Sequence, residues 1–303
     1  MENCAGKTED VKKIIGLFFK NDRGESVEIA DRIARADYAD ANVRFVRGEA
    51  AAGEDFEQIR QSEGFDRMTF AVSIGGDGTF LRTARVVREL GIPMYGINTG
   101  RLGFLASGGP EAAEGDVRRI LSGDWCLVDR IPLKGEILRG GVSISKLYAL
   151  NEITVTKGAL PHPIDLDVSA GGNPLYSLLA DGIIVATPTG STAYALSAGG
   201  PIVHPGVKCL VVVPICPHSL YPRPVILGEG DVIEISLASN GGEMLLSGDG
   251  QLNVALAHGD VVRLALDNEK RVHVIKLDDA SYYDVLQSKL NWGCRGERGR
   301  VRD

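Results

Sequence analysis

The sequence predicts a two-part chain: an α/β unit built on a parallel sheet, then an all-β unit of two packed sheets. Three observations carry this prediction. Up to about residue 126, short apolar runs alternate with segments of helical spacing, the pattern of a parallel sheet covered by helices. Beyond it, apolar and polar residues alternate with period two, and glycine pairs punctuate the runs as in hairpins. The length of 303 residues suits two domains, each able to bury a core.

The elements follow in order. "KKIIGLFF" (Lys12–Phe19) is a short apolar run that fits a buried strand, and "NDRGE" is a turn. "SVEIADRIARADYAD" sets Ile29, Ala30, Ile33 and Ala34 at helical spacing with charges between them. Met68–Gly76 is a strand-like run that ends in glycines. In "TFLRTARVVREL", Phe80, Ala84 and Val87 share one helical face, and Ile92–Asn98 is strand-like again. The boundary falls near residues 126–132. The strands that follow are marked by Gly140–Gly141 and Gly171–Gly172, and "STAYALSAGG" (Ser191–Gly200) interrupts them with alanine-rich helical character. "SYYDVLQSKLNW" regains helical periodicity through Tyr282, Val285, Leu286 and Leu290, and predicts a last helix that packs back on the first domain. The resulting division is 11–129 (α/β), 130–278 (β-sandwich) and 279–293 (returning helix).

Composition narrows the function classes. The net charge of -7 argues against broad binding to nucleic acid or bilayers, which need a basic surface. The basic tail "GCRGERGRVRD" reads as solvated, and "MENCAGKTED" as a frayed leader without signal-peptide order. Five widely spaced cysteines (Cys4, Cys126, Cys209, Cys216, Cys294) with no CxxC fit a reducing cytosol, and Cys209 reads as core. No run approaches the ~20 apolar residues of a membrane helix. His162, His204 and His218 show no ligand spacing, so no tightly held zinc or other protein-held metal site is expected.

"IGGDGTF" (Ile74–Phe80) joins a predicted strand to a predicted helix. Such a turn suits phosphate, because the backbone comes close and the helix start offers N–H groups and partial positive charge. Gly75, Gly76 and Gly78 supply the bare backbone, and Thr79 can cap the helix or bind an oxygen. The spacing is neither that of a lysine-bearing P-loop nor G-x-G-x-x-G. Asp77 is the odd member, since a carboxylate repels phosphate. One reading makes it a general base toward a hydroxyl that receives a phosphoryl group; the other makes Asp77–Gly78 an ordinary turn pair.

Further clusters carry polar groups. "GINTGRLGFLA" offers Arg101 to neutralise phosphate and Phe104 to stack on a ring; alone it also reads as a loop with a surface arginine and a core phenylalanine. "LNEITV" sets Asn151 beside Glu152, and strand neighbours point to opposite faces unless the chain twists or bulges, so Glu152 in isolation reads as solvent-facing. In "LLADGIIVATPTGSTAYALSAGGPIV", Asp181 lies amid apolar residues and is expected buried and partnered. Ser191 or Thr192 sits near the start of a helix, in a hydroxyl-rich turn that can grip a ribose, an amide or a phosphate; Tyr194 offers a stacking face, and Ser197 follows on the same face.

Taken in order, "GGDGT", "GINTGRLGFLA", "NE", "DGIIVATPTGSTAYALSAGGPIV" and "YDVLQSKLNWG" resemble the NAD kinase family over residues 11–293. GGDG alone is shared with diacylglycerol and sphingosine kinases and phosphofructokinases; the long run from Asp181 is far more specific. The resemblance implies an incomplete Rossmann-like α/β domain, a C-terminal β-sandwich and an active site between them. It implies transfer of the γ-phosphoryl group of ATP to the adenosine 2′-hydroxyl of NAD, with a divalent metal such as Mg²⁺. By motif position, Asp77 would be the base, and Gly76, Gly78 and Thr79 would meet phosphates. Asn151 and Glu152 would hold the diphosphate-ribose region, Asp181 and Ala193 the nicotinamide end, and Phe104, Thr192, Tyr194 and Ser197 the adenine. It also implies a homodimer or homotetramer, with Asp181 in a site completed by a neighbouring subunit. Two alternatives stand beside it: a lipid or sugar kinase with a GGDG turn, and a non-catalytic NAD(P)-binding sensor.

Overall fold

The computed structural model describes residues 13–20, 24–38, 43–49, 64–100, 103–158, 162–237, 244–277 and 282–290. The leader, the tail, Arg101, Cys4 and Cys294 lie outside the described residues.

The first layer is a six-stranded sheet. Strands β1 (Lys13–Phe19), β2 (Val43–Glu49), β3 (Phe70–Ile74) and β4 (Met94–Ile97) run parallel in the order β2-β1-β3-β4. Helix α1 (Gly24–Arg35) and helix α3 (Ala113–Ser122) cover one face through Ile29, Ile33, Val117 and Ile120. Helix α2 (Asp77–Leu90) covers the other through Phe80, Leu81, Ala84 and Val87. Strands β1, β3 and β4 are buried on both faces, which is why they read as continuous apolar runs. Two members escaped the sequence reading: β2, whose arginines break its apolar run, and α3. Strand β5 (Cys126–Arg130) closes the sheet, separated from β4 by β18 (Val272–Lys276).

The second unit is a sandwich of two antiparallel sheets. One contains β6 (Leu133–Arg139), β7 (Val142–Ala149), β9 (Ile164–Ala170), β10 (Asn173–Ala180), β14 (Ile233–Leu237) and β17 (Asp260–Leu266). The other contains β8 (Glu152–Lys157), β11 (Gly182–Ala186), β12 (Cys209–Ile215), β13 (Val225–Gly228), β15 (Met244–Gly248) and β16 (Leu252–Leu256). Ile137, Ile153, Val185, Leu210 and Ile235 meet in the core between them. The glycine pairs close the β6–β7 and β9–β10 hairpins, with φ of 57 and 81° in one and 54 and 79° in the other, the doubly left-handed turn that glycine permits.

The outer face of the second sheet is also covered. Ala195 and Val203 pack on Ile184, Val211 and Val213, so β11 and β12 are buried throughout, Cys209 included. The covering segment is less helical than its alanines suggest. It is a 3₁₀ turn at Gly190–Thr192 and a single turn of helix α4 (Tyr194–Ser197), broken at Ala193.

The chain returns to the first sheet with β18, inside the range 130–278 expected for the sandwich. A short strand's period does not reveal which sheet it joins. Helix α5 (Tyr282–Leu290) then buries Leu286. Its Lys289 ammonium lies 5.9 Å from the Phe104 ring centroid, and the Tyr282 and Tyr283 rings meet His204 at 5.0 and 5.9 Å. The last helix thus touches the first unit at Phe104 and the second at His204. Among the described residues, no helix is long and apolar enough to cross a membrane.

Candidate functional site

The glycine turn sits where β3 hands over to α2. Gly75 has φ of +152°, and a Cβ there would fall 2.6 Å from Thr79 Oγ1. Thr79 is buried beneath the turn, and the helix cap is Gly76, which offers only backbone. The cap role read for Thr79 is therefore corrected: its side chain is packed against Gly75. Gly78 is exposed. Asp77 opens the helix, half-buried, and its carboxylate accepts the N–H groups of Phe104 (3.2 Å) and Leu105 (3.4 Å). Gly103 must be glycine for this approach, since a Cβ there would fall 1.9 Å from Asp77 Oδ1. Phe104 is half-buried on that same loop.

The sandwich reaches the turn through the β15–β16 loop, which no motif in the sequence singles out. Gln251 donates from Nε2 to the Gly78 carbonyl (2.9 Å) and accepts at Oε1 from Arg85 of α2 (3.0 Å). Two residues earlier, the buried Asp249 carboxylate accepts the N–H groups of Leu150 (3.0 Å), Asn151 (2.8 Å) and Glu152 (3.3 Å). Burial pushes the Asp249 carboxyl upward against the pull of these donors.

Glu152 is not on the solvent face, as its strand position suggested; only 7% of it is exposed. Burial first, and the Asp249 charge second, push its carboxyl up to about 8, opposed by the pull of the nearby Tyr194 N–H. Asn151 Oδ1 and Glu152 Oε2 are both buried without a hydrogen-bond partner. Two orphaned acceptor oxygens on successive residues call for donors or a cation from a ligand.

The hydroxyl-rich segment locks onto the same strand. Thr187 donates from Oγ1 to the Leu150 carbonyl (2.6 Å) and from N–H to the Asn151 carbonyl (2.8 Å), while its Oγ1 accepts the Gly190 N–H (3.1 Å). Ser191, one of two candidates for gripping a ligand, is fully buried, donating to Pro188 O (2.7 Å) and accepting from Val203 N–H (2.9 Å). It is a latch on the backbone. Thr192 and Ala193 are half-buried, whereas Tyr194 and Ser197 are exposed.

Hydrogen bonds therefore connect Asp77 with Phe104, Gly78 with Gln251, and Asp249 with Asn151 and Glu152. Asp181 stands apart. Ala186 pairs with Glu152 at one end of β11, while Gly182, next to Asp181, pairs with Thr156 at the other. The four steps from Gly182 to Ala186 separate the two ends by about 13 Å. Asp181 is partnered as expected, by Lys157 at 2.6 Å, but with 33% of its side chain exposed it is not buried.

Among the described residues, no group of three or more His, Cys, Asp or Glu is placed to hold a metal ion. The orphaned Asn151 Oδ1 and Glu152 Oε2 nevertheless fit a hard cation that takes most of its ligands from phosphate and water, the usual manner of Mg²⁺.

Comparison with known proteins gives a consistent result. The family model described as the ATP-NAD kinase N-terminal domain matches residues 15–125, and that of the ATP-NAD kinase C-terminal domain matches residues 150–277. The NAD kinase of Geotalea daltonii is 39% identical over 230 residues, 76% of this chain and 81% of its own. That of Thiobacillus denitrificans is 44% identical over 222 residues, 73% of this chain and 76% of its own. The solved structure of an NAD kinase from Archaeoglobus fulgidus in complex with ATP superposes with a TM-score of 0.69 at 26% identity, covering 92% of this chain and 98% of that one. A yeast NADH kinase complexed with NADH shares the fold, with a TM-score of 0.81 at 24% identity over 95% of this chain and 90% of that one. With both halves matched in order and relatives this similar over most of their length, the chain belongs to the ATP-NAD kinase family.

Proposed function

We propose that the chain makes NADP by moving the γ-phosphoryl group of ATP onto the adenosine 2′-hydroxyl of NAD, with Asp77 as general base. Phosphorylation of NAD by ATP is the reaction of its family. The observation that carries the finer reading is the Asp77 carboxylate, held by two N–H groups at the glycine turn and half open to solvent. It accepts the hydroxyl proton as that oxygen attacks the γ-phosphorus; the bond to the bridging oxygen breaks, and ADP leaves. Such transfer asks the protein mainly for positioning and charge neutralisation.

The other residues take supporting parts in this reading. Gly76 and Gly78 present backbone to phosphate, Thr79 shapes the turn, and Arg101 adds positive charge. Asn151 and Glu152 hold the diphosphate-ribose region, and their orphaned oxygens would hold the metal. A bound Mg²⁺ neutralises phosphate charge. Phe104, Thr192, Tyr194 and Ser197 surround the adenine, and Ala193 meets the nicotinamide end. Asp181, at the far end of β11, joins that end in the site of a second copy, so the working form is a homo-oligomer, in the cytoplasm.

NADP formation from NAD and Mg-ATP tests this. Asp77→Asn should keep NAD binding and lose at least about a hundredfold in kcat. Wild-type turnover in that variant removes Asp77 from the role of base.

A further inference from the structure

Glu152 opens β8, and Leu150 and Asn151 bend into it just before. Asn151 and Glu152 both end as buried acceptors. The carboxylate that holds this bend lies about a hundred residues away in the chain. We infer that Asp249 is a positioning residue for phosphoryl transfer: its carboxylate gathers three successive N–H groups at the entry to β8 and so turns Asn151 and Glu152 toward the ligand together.

Three consecutive donors cannot converge on one carboxylate from a regular strand, whose N–H groups alternate in direction. Convergence requires the bend that the pair needs. Asp249 Oδ1 takes the Asn151 and Glu152 donors at 2.8 and 3.3 Å, and Oδ2 takes Leu150 at 3.0 Å. The grip is mutual, because the Asp249 N–H donates to the Glu152 carbonyl at 3.0 Å. Asp249 itself holds φ of +51°, a conformation that aspartate tolerates better than most residues. The same loop carries Gln251, whose amide spans Gly78 and Arg85. One short loop therefore sets the place of the Asn151–Glu152 pair and ties it to the turn that bears Asp77. Arg85 adds a second link, since its guanidinium and the Asp249 carboxylate attract each other across the seam.

This inference rests on the reading of Asn151 and Glu152 as ligand-holding residues. The experiment is a double-mutant cycle on kcat, using Asp249→Asn and Glu152→Gln in the full chain, with circular dichroism and thermal melts to fix the folded fraction. Asp249→Asn keeps one acceptor but turns an NH₂ toward the N–H cluster. Misplacement on the ångström scale should lower kcat per folded molecule by about 10- to 100-fold. If Asp249 acts through the pair, adding Asp249→Asn to Glu152→Gln should cost much less than it does alone. A purely structural Asp249 would lower the melting temperature and leave kcat per folded molecule unchanged, and that result overturns the inference. Independent, multiplicative losses in the cycle also overturn it. Impaired Glu152→Gln with unimpaired Asp249→Asn sinks this inference alone, whereas wild-type turnover in Glu152→Gln sinks the reading beneath it as well. Should Asp249→Asn fail to fold, Gln251→Leu carries the test. It should lose at least about fivefold in kcat at an unchanged fold, and full kcat refutes the tie.

Discussion

Replacing Glu152 by glutamine should stabilise the ligand-free protein at high pH while impairing the reaction. The sign follows from burial. In the folded chain the Glu152 carboxyl is pushed up to about 8 from an ordinary 4.5, first by burial and then by the neighbouring Asp249 charge. Below about pH 4.5 the carboxyl is protonated in both states and costs nothing. Between about 4.5 and 8 the unfolded chain ionises and the folded chain does not, so stability falls as pH rises. Above about 8 both states are ionised, and the folded state carries the full cost. At ~1.4 kcal/mol per pKa unit, that cost reaches about 5 kcal/mol as an upper bound.

Glutamine fills nearly the same space and never ionises. Urea unfolding of both proteins at pH 5 and pH 9, with chelator and without nucleotide, reads the difference. The variant's advantage should be small at pH 5 and grow to several kcal/mol at pH 9. A gap of the same size at both pH values, or a variant less stable than wild type at pH 9, would refute the reasoning. Either would mean that solvent or an unseen donor already satisfies the Glu152 carboxylate.

Two further substitutions separate chemistry from scaffold. Gly103→Ala places a methyl 1.9 Å from Asp77 Oδ1, the far end of a side chain that can swing away, so melting temperature should hold while kcat for NADP formation falls by about 10²-fold. Ser191→Ala leaves the buried Val203 N–H without its partner and removes one of two donors to the Pro188 carbonyl, and denaturant titration should show about 1–3 kcal/mol lost.

The fold was legible because periodicity is a direct consequence of which faces are buried. Runs such as that of β3 announced a doubly covered parallel sheet, and Gly140–Gly141 announced a tight hairpin. The site was legible only where a motif carries its own geometry, as the glycine turn does. Hydroxyl groups misled in both directions: Ser191 reads as a ligand hook, yet spends its bonds on the backbone, and Thr187, unremarked, ties the entry of β8 to the turn at Gly190. Glu152 misled because alternation separates the two faces of a strand without saying which is covered: Glu152 and Thr154 alternate with the core residues Ile153 and Val155, and their face is buried as well. Asp249 itself sits in "SGDGQ", which looks like a plain turn. A signal was present in retrospect: a second Gly-Asp-Gly, placed where a hairpin needs no acid.

The same logic explains why an acid can sit inside a phosphate-binding turn. The first N–H groups of a helix have no intrahelical acceptor and are the natural donors to phosphate. Were Asp77 to fold back and cap its own helix, it would occupy those donors and place its charge where phosphate must go. Instead its oxygens are taken by the N–H groups of Phe104 and Leu105, on a different loop. In the proposed reaction the start of α2 is left for the phosphate, and the carboxylate is held to one side, where a hydroxyl would come between the two charges. Gly103 is what lets the second loop come near enough to do this, so the glycine that decides the acid's position lies outside the glycine turn.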